Sequence, residues 1–274
     1  METNLAFALL LTTLAGLSTG IGSTIAYFIR KPKYSYLSFL LGLSAGVMIF
    51  VSFTELLKTA IDKVGFATAN VAFFIGISFI AIVDILTPHE YEEEQVRGRH
   101  SNKNSLERDL ESDQSPKSKA ASQSALMRAG VFTAIGIAIH NFPEGLVTFS
   151  SALTGDVSLG IMIALAIAIH NVPEGIAVSV PIFYATGSRR RAFLYSFSSG
   201  LAEPVGALIG YAILSPFLTP MLLSSLLAFV AGMMIYISLD ELLPLAHRYG
   251  NEHLVISGIG AGMLIMAASL FLLR

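Results

Sequence analysis

Eight long apolar stretches divide the chain and leave it few ways to fold. They run from about Leu5 to Ile29, Tyr36 to Leu57, Phe66 to Leu86, Ala129 to Leu153, Val157 to Ile182, Ala192 to Leu214, Met221 to Leu243 and Leu254 to Leu273. Each reaches the ~20 residues that a helix needs to cross the hydrocarbon core of a bilayer. In lipid every backbone N–H and C=O must find a partner inside the protein, and a helix satisfies them within its own segment. Charged residues are only 13% of the chain and hydrophobic residues 54%, with a mean hydropathy of +0.68. A soluble domain carries about 25% charged residues. The expected fold class is therefore an all-α polytopic membrane protein with eight transmembrane helices, a single domain over residues 1–274. The first stretch has no basic segment ahead of it and is long enough to span, so a transmembrane helix is expected there in place of a cleaved signal peptide.

Connections between the stretches are short except for residues 87–128. That segment holds Glu92, Glu93 and Glu94, mixed charges and many Ser, Asn, Gln and Lys residues. Its low hydrophobicity predicts a solvated, disordered loop. Basic residues cluster on alternate connections: Arg30, Lys31 and Lys33, then the long loop, then Arg189, Arg190 and Arg191, then Arg248. The other side has only Lys58, Lys63 and Arg274. The positive-inside rule places the long loop in the cytoplasm and both termini outside, in a multi-pass protein of the cell membrane. Net charge is −2, and the charges form no basic face for nucleic acid. The chain has no cysteine, which removes disulfides, thiolate ligands and iron–sulfur clusters.

Two internal repeats are visible. Residues 45–57 (AGVMIFVSFTELL) match residues 231–243 (AGMMIYISLDELL), and residues 135–140 match 165–170. Each pair joins an even-numbered helix to an odd-numbered one, so the partners cross the bilayer in opposite directions. The first three helices are then mirrored by the last three, and the fourth by the fifth. Inverted repeats of this kind belong to transporters, with the binding site near the midplane at the repeat interface.

The second repeat ends in a doubled word, His140-Asn141-Phe142-Pro143-Glu144-Gly145 and His170-Asn171-Val172-Pro173-Glu174-Gly175. Ionisable groups inside a membrane are costly and usually functional. At ~1.5 Å per residue His140 stands ~16 Å along its helix, about half the core thickness. The four-residue spacing of His140 to Glu144 and of His170 to Glu174 puts each pair on one helical face. Pro143 and Pro173 each remove a helical hydrogen bond, which is tolerated where the bend lines a cavity. Gly145 and Gly175 are expected to let the two helices approach each other. Glu203, before Pro204 in the sixth helix, is a further candidate ligand. Glu55, Asp240 and Glu241 lie near helix ends and are expected to line two access routes, whereas Asp84 reads as solvated. The plain alternative is mutual hydrogen bonding of these groups without metal. Imidazole, carboxylate and amide oxygen suit Zn²⁺, Fe²⁺, Co²⁺ or Mn²⁺ and disfavour Cu⁺.

The doubled His-Asn-x-Pro-Glu-Gly word, the Gly-Leu-Ala-Glu of the sixth helix and the Ser-x-Asp-Glu-Leu-x-Pro of the seventh resemble the ZIP (Zrt/Irt-like) family of divalent-metal transporters. The resemblance covers nearly the whole chain apart from the long loop. It implies a 3+2+3 arrangement and a two-metal centre. One metal would use His140, Glu144, His170 and Glu174; the other would use Asn141, Asn171 and Glu203, with Glu144 and Glu174 bridging. It also implies movement of metal into the cytoplasm by alternating access. Zinc is the expected cargo, with iron, manganese, cobalt and cadmium as further substrates and no prosthetic group. The expected partners are divalent metal ions and the lipid bilayer; a homodimer is left open. An intramembrane protease or lipid hydrolase is disfavoured, because no His-Glu-x-x-His word occurs. Composition does not separate a carrier from a metal-gated channel.

Overall fold

The computed structural model describes residues 2–29, 33–86, 116–153 and 157–273, and among these every regular element is helical. Eight membrane-length helices follow in chain order. We number them α1 (Leu5–Phe28), α2 (Tyr34–Val64), α3 (Phe66–Leu86), α4 (Pro116–Ala152), α5 (Val157–Thr186), α6 (Arg189–Gly200 continued by Ala202–Leu214), α7 (Pro220–Tyr249) and α8 (Glu252–Leu273). Seven contain a span long and apolar enough to cross a membrane, and α6 is the interrupted one. Its break at Leu201 has a local cause. Pro204 has no N–H for the carbonyl of Gly200, so the helical ladder lapses there and restarts at Ala202.

Most boundaries overrun the hydropathy limits, because a helix does not stop where its residues cease to be apolar. The clearest case is α4. Its first thirteen residues, 116–128, fall inside the segment expected to be a disordered loop, and they are helical. Pro116 suits a first helical position, and the Ala, Lys, Gln, Leu and Met that follow are good helix formers. Leu126 is buried, and the Ser122 hydroxyl lies 3.3 Å from that of Tyr249 on α7. Residues 87–115 of the expected loop lie outside the described residues.

The helices pack as two groups of four. Helices α1, α4, α5 and α6 form one, and α2, α3, α7 and α8 the other; α2 meets α5 and α7 meets α4 across the seam. The inverted repeat is visible in this packing. The extensive contact of α2 with α8 is mirrored by that of α7 with α3, and α1 with α5 by α6 with α4. Glycines make the mirrored contacts possible. Gly46 lies against the backbone of Ile259, and its repeat partner Gly232 against that of Phe73, with no room for a Cβ at either. The same pairing corrects one expectation. Gly145 and Gly175 do not bring α4 and α5 together; Gly145 seats on the backbone of Glu203 in α6, and Gly175 on that of Thr19 in α1.

The matching words in α2 and α7 both form π-helical turns, Ser52–Leu57 and Ile237–Leu242. Such turns are rare, and they gather at functional sites because the widened turn re-aims its side chains. Glu55 sits in the first, and Asp240 and Glu241 in the second.

Candidate metal centre

Helices α4 and α5 run antiparallel, and their packing brings the two words to one depth. His140 lies ~18 Å from the Ala152 end of its span and ~27 Å from the Ser122 end; His170 lies ~15 Å from Gly160 and ~24 Å from Thr186. Both fall in the middle third. All seven candidate ligands, His140, Asn141, Glu144, His170, Asn171, Glu174 and Glu203, are at most 2% exposed.

The hydrogen bonds cross between the words. His140 Nε2 lies 2.9 Å from Glu174 Oε1, and His170 Nε2 lies 2.7 Å from Glu144 Oε1. Each imidazole therefore meets the glutamate of the opposite helix, not the one four residues on in its own. Helical phase aims the His and Glu of one word in the same direction, and two such faces placed together exchange partners. His140 Nδ1 rests 3.2 Å from the Gly136 carbonyl, an orientation that leaves Nε2 to the centre. Ligand atoms of His140, Glu144 and Glu174 all lie within 4.8 Å of one another, close enough to hold one cation.

Glu203 enters from α6 at the first turn after the Leu201 break, where it accepts a hydrogen bond from Asn171 Nδ2. Asn171 Nδ2 also donates to the Ala15 carbonyl of α1, at 2.9 Å. The α1 backbone is thus a wall of the site, one that no side-chain pattern announces. Asn141 Nδ2 approaches the Ser199 carbonyl of α6 at 3.4 Å. Two further hydroxyls brace the α5 word: Ser18 donates to the Ala168 carbonyl at 2.8 Å, and Ser44 to the Pro173 carbonyl at 2.7 Å.

What this arrangement can do follows from the acceptors it leaves over. Glu144 Oε2, Asn171 Oδ1 and Glu203 Oε2 are buried and have no hydrogen-bond partner among the described residues. With its amide nitrogen turned inward, Asn141 donates toward Glu174 Oε2 at 3.3 Å and lies 3.0 Å from His140 Nε2, so it belongs to the same polar cluster. Buried acceptors without donors cost about 1–3 kcal/mol each. A divalent cation removes that cost, and imidazole, carboxylate and amide oxygen are donors that borderline transition ions accept.

The access-route candidates separate. Asp240 and Glu241 come together with Asp84 of α3, their carboxylate oxygens within 4.8 Å. Asp84 is buried and accepts a hydrogen bond from Tyr236 at 3.0 Å, so the expectation that it is solvated is corrected. Its position near the end of α3 suggested water; packing of α7 over that end removes it. Glu55, half-buried on α2, joins neither cluster.

Comparison with known proteins points the same way. The family model described as "ZIP Zinc transporter" matches residues 3–270. The chain is 50% identical over 277 residues to the zinc transporter ZupT of Clostridium perfringens, spanning 98% of this chain and 96% of the relative. It is 51% identical to the zinc transporter ZupT of Nitratidesulfovibrio vulgaris, across 98% of both chains, and 50% identical to that of Streptococcus mutans, across 99% of both.

Proposed function

Since the chain belongs to the ZIP zinc-transporter family, we propose that it carries divalent transition-metal cations, zinc foremost, through the membrane into the cytoplasm. The observation that carries this reading is the crossed His140–Glu174 and His170–Glu144 pairing beside three buried oxygens that lack donors. His140, Glu144, His170 and Glu174 hold the cargo at the α4–α5 interface. Asn141, Asn171 and Glu203 offer a second seat, with Glu144 and Glu174 facing both. Fe²⁺, Mn²⁺, Co²⁺ and Cd²⁺ satisfy the same donors and are further substrates.

The basic connections, read by the positive-inside rule, support both chain termini outside and the start of α4 in the cytoplasm. Glu55 then stands on the entry side, and Asp240 and Glu241, with Asp84, on the exit side. The centre is buried from both directions, so a cation crosses only if the two groups of four helices shift against each other at the α2–α5 and α4–α7 seams. Such alternating access needs no open pore.

The test is zinc uptake by the full chain in proteoliposomes. His140→Ala and Glu144→Ala are each expected to abolish uptake while the protein still inserts. Wild-type uptake by both variants would sink the assignment. Competition by the other four ions in the same vesicles ranks the substrates.

A further inference from the structure

The pseudo-twofold that exchanges α4 with α5 also exchanges α1 with α6, and it assigns a counterpart to Glu203. The two helices cross at Gly16 and Gly200, each seated against the other's carbonyl oxygen. From that crossing, Ala15-Gly16-Leu17-Ser18-Thr19 aligns with Ser199-Gly200-Leu201-Ala202-Glu203. The contacts repeat position by position. Asn171 reaches the carbonyl of Ala15, and Asn141 that of Ser199. Gly175 lies on the backbone of Thr19, and Gly145 on that of Glu203. A Cβ at Gly16 would meet the Glu203 Cβ at 3.2 Å, and one at Gly200 would meet the Thr19 Cβ at 2.8 Å. Thr19 therefore stands where symmetry would put a second Glu203.

Its hydroxyl does not make the bond to its own helix that a buried threonine commonly makes. Buried Thr12 and Thr148 both return their hydroxyls to the carbonyl four residues back. The Thr19 hydroxyl is fully buried and has no partner among the described residues, a state it shares with Thr133, so what sets Thr19 apart is its place opposite Glu203. Glu203 is long enough to meet Asn171, whereas Thr19, two atoms shorter, makes no bond to Asn141.

We propose that Thr19 is a specificity-determining residue of the cargo centre, a neutral hydroxyl donor in the place of a fourth carboxylate. This rests on the transport reading above. Three carboxylates, Glu144, Glu174 and Glu203, do not neutralise two divalent cations, so a doubly loaded centre keeps excess positive charge and sheds an ion readily. A fourth carboxylate would balance the two ions and hold them. The asymmetry between α1 and α6 thus favours release over capture.

The test compares Thr19→Val, Thr19→Ser and Thr19→Glu with Glu203→Gln, using zinc uptake in proteoliposomes and zinc binding to the purified chain. Thr19→Val keeps the shape and removes the hydroxyl. It is expected to raise the half-saturating zinc concentration by about five-fold, the effect of one neutral hydrogen-bond-class contact, and Thr19→Ser to restore it. Thr19→Glu is expected to lower half-saturation and maximal rate together, because the cargo leaves slowly. If Thr19 only packs, Thr19→Val loses an unsatisfied buried hydroxyl, so it melts at the same or a higher temperature with unchanged zinc affinity. That result overturns the proposal even if Thr19→Glu fails to fold. Unchanged uptake by Glu203→Gln would instead count against the centre itself.

Discussion

At the scale of single residues, the candidate centre is marked by buried oxygens left without donors among the described residues. Glu203 shows this most simply: one carboxylate oxygen accepts from Asn171, and the other has no partner among the described residues. Glu203→Gln keeps the shape and, through its amide oxygen, the hydrogen bond from Asn171, but it removes the charge and puts an NH2 group, which cannot ligate a cation, in place of the second oxygen. It should therefore leave transport running with a half-saturating zinc concentration raised about ten-fold, the equivalent of ~1.4 kcal/mol for a weakened charged contact. Concentration-dependent uptake measures this directly, and loss of insertion would show that Glu203 is needed for folding instead. His140 and Glu144 are less replaceable, since each belongs to one of the crossed pairs and both sit among ligand atoms within 4.8 Å. These side chains were legible as candidates in the sequence: His140 and Glu144 from two copies of one polar word inside apolar helices, Glu203 from a carboxylate set before a proline inside a third. Asp84 was not, because its burial depends on Tyr236 and Asp240 of a helix far along the chain.

At the scale of elements, small residues set how closely the helices approach, and that closeness places the ligands. Gly145 touches the Glu203 backbone with no space for a methyl group. Gly145→Ala must push α6 away, at a cost of about 1–3 kcal/mol for overpacking, and it moves Glu203 with it. A lower melting temperature together with weaker zinc uptake is expected. Gly260 on α8 is the control: a Cβ there meets nothing within 4 Å, so Gly260→Ala should be neutral or stabilising by about 0.5–1 kcal/mol. Equal thermal shifts in the two variants would refute the close-approach argument. The π-helical turns of α2 and α7 are the other device at this scale. They fall on the words that repeat between the two helices, and the one in α7 brings Asp240 and Glu241 to Asp84. The repeat was readable from residues 45–57 and 231–243, whereas the widened turn within it was not, since a π turn and an α turn use the same residue types.

At the scale of the whole molecule, two four-helix groups meet around a buried site, and the cargo should bind the folded chain far better than the unfolded one. Zinc at about one hundred times its dissociation constant is then expected to add ~2.7 kcal/mol of stability. A thermal melt of the detergent-solubilised protein should move upward with zinc and return on chelation. The shift should vanish when Glu144 and Glu174 are both changed to Gln. Persistence of the full shift in that variant would locate the stabilising zinc elsewhere, with Asp84, Asp240 and Glu241 the next place to look.

The sequence by itself determined that the chain is a series of apolar helices, the inverted relation between its halves, and which polar residues are the candidate ligands. These follow from properties carried along one dimension: a run of apolar residues long enough for a bilayer, a repeated word, and a four-residue spacing that puts His and Glu on one face. Tertiary structure alone decided which groups meet. Helical phase says where a side chain points but not which helix stands opposite, so the exchange of partners between His140–Glu174 and His170–Glu144 emerged only when α4 and α5 lay antiparallel at one depth. For the same reason the seats of Gly145 and Gly175, the wall formed by the Ala15 carbonyl and the pairing of Thr19 with Glu203 became visible only in three dimensions.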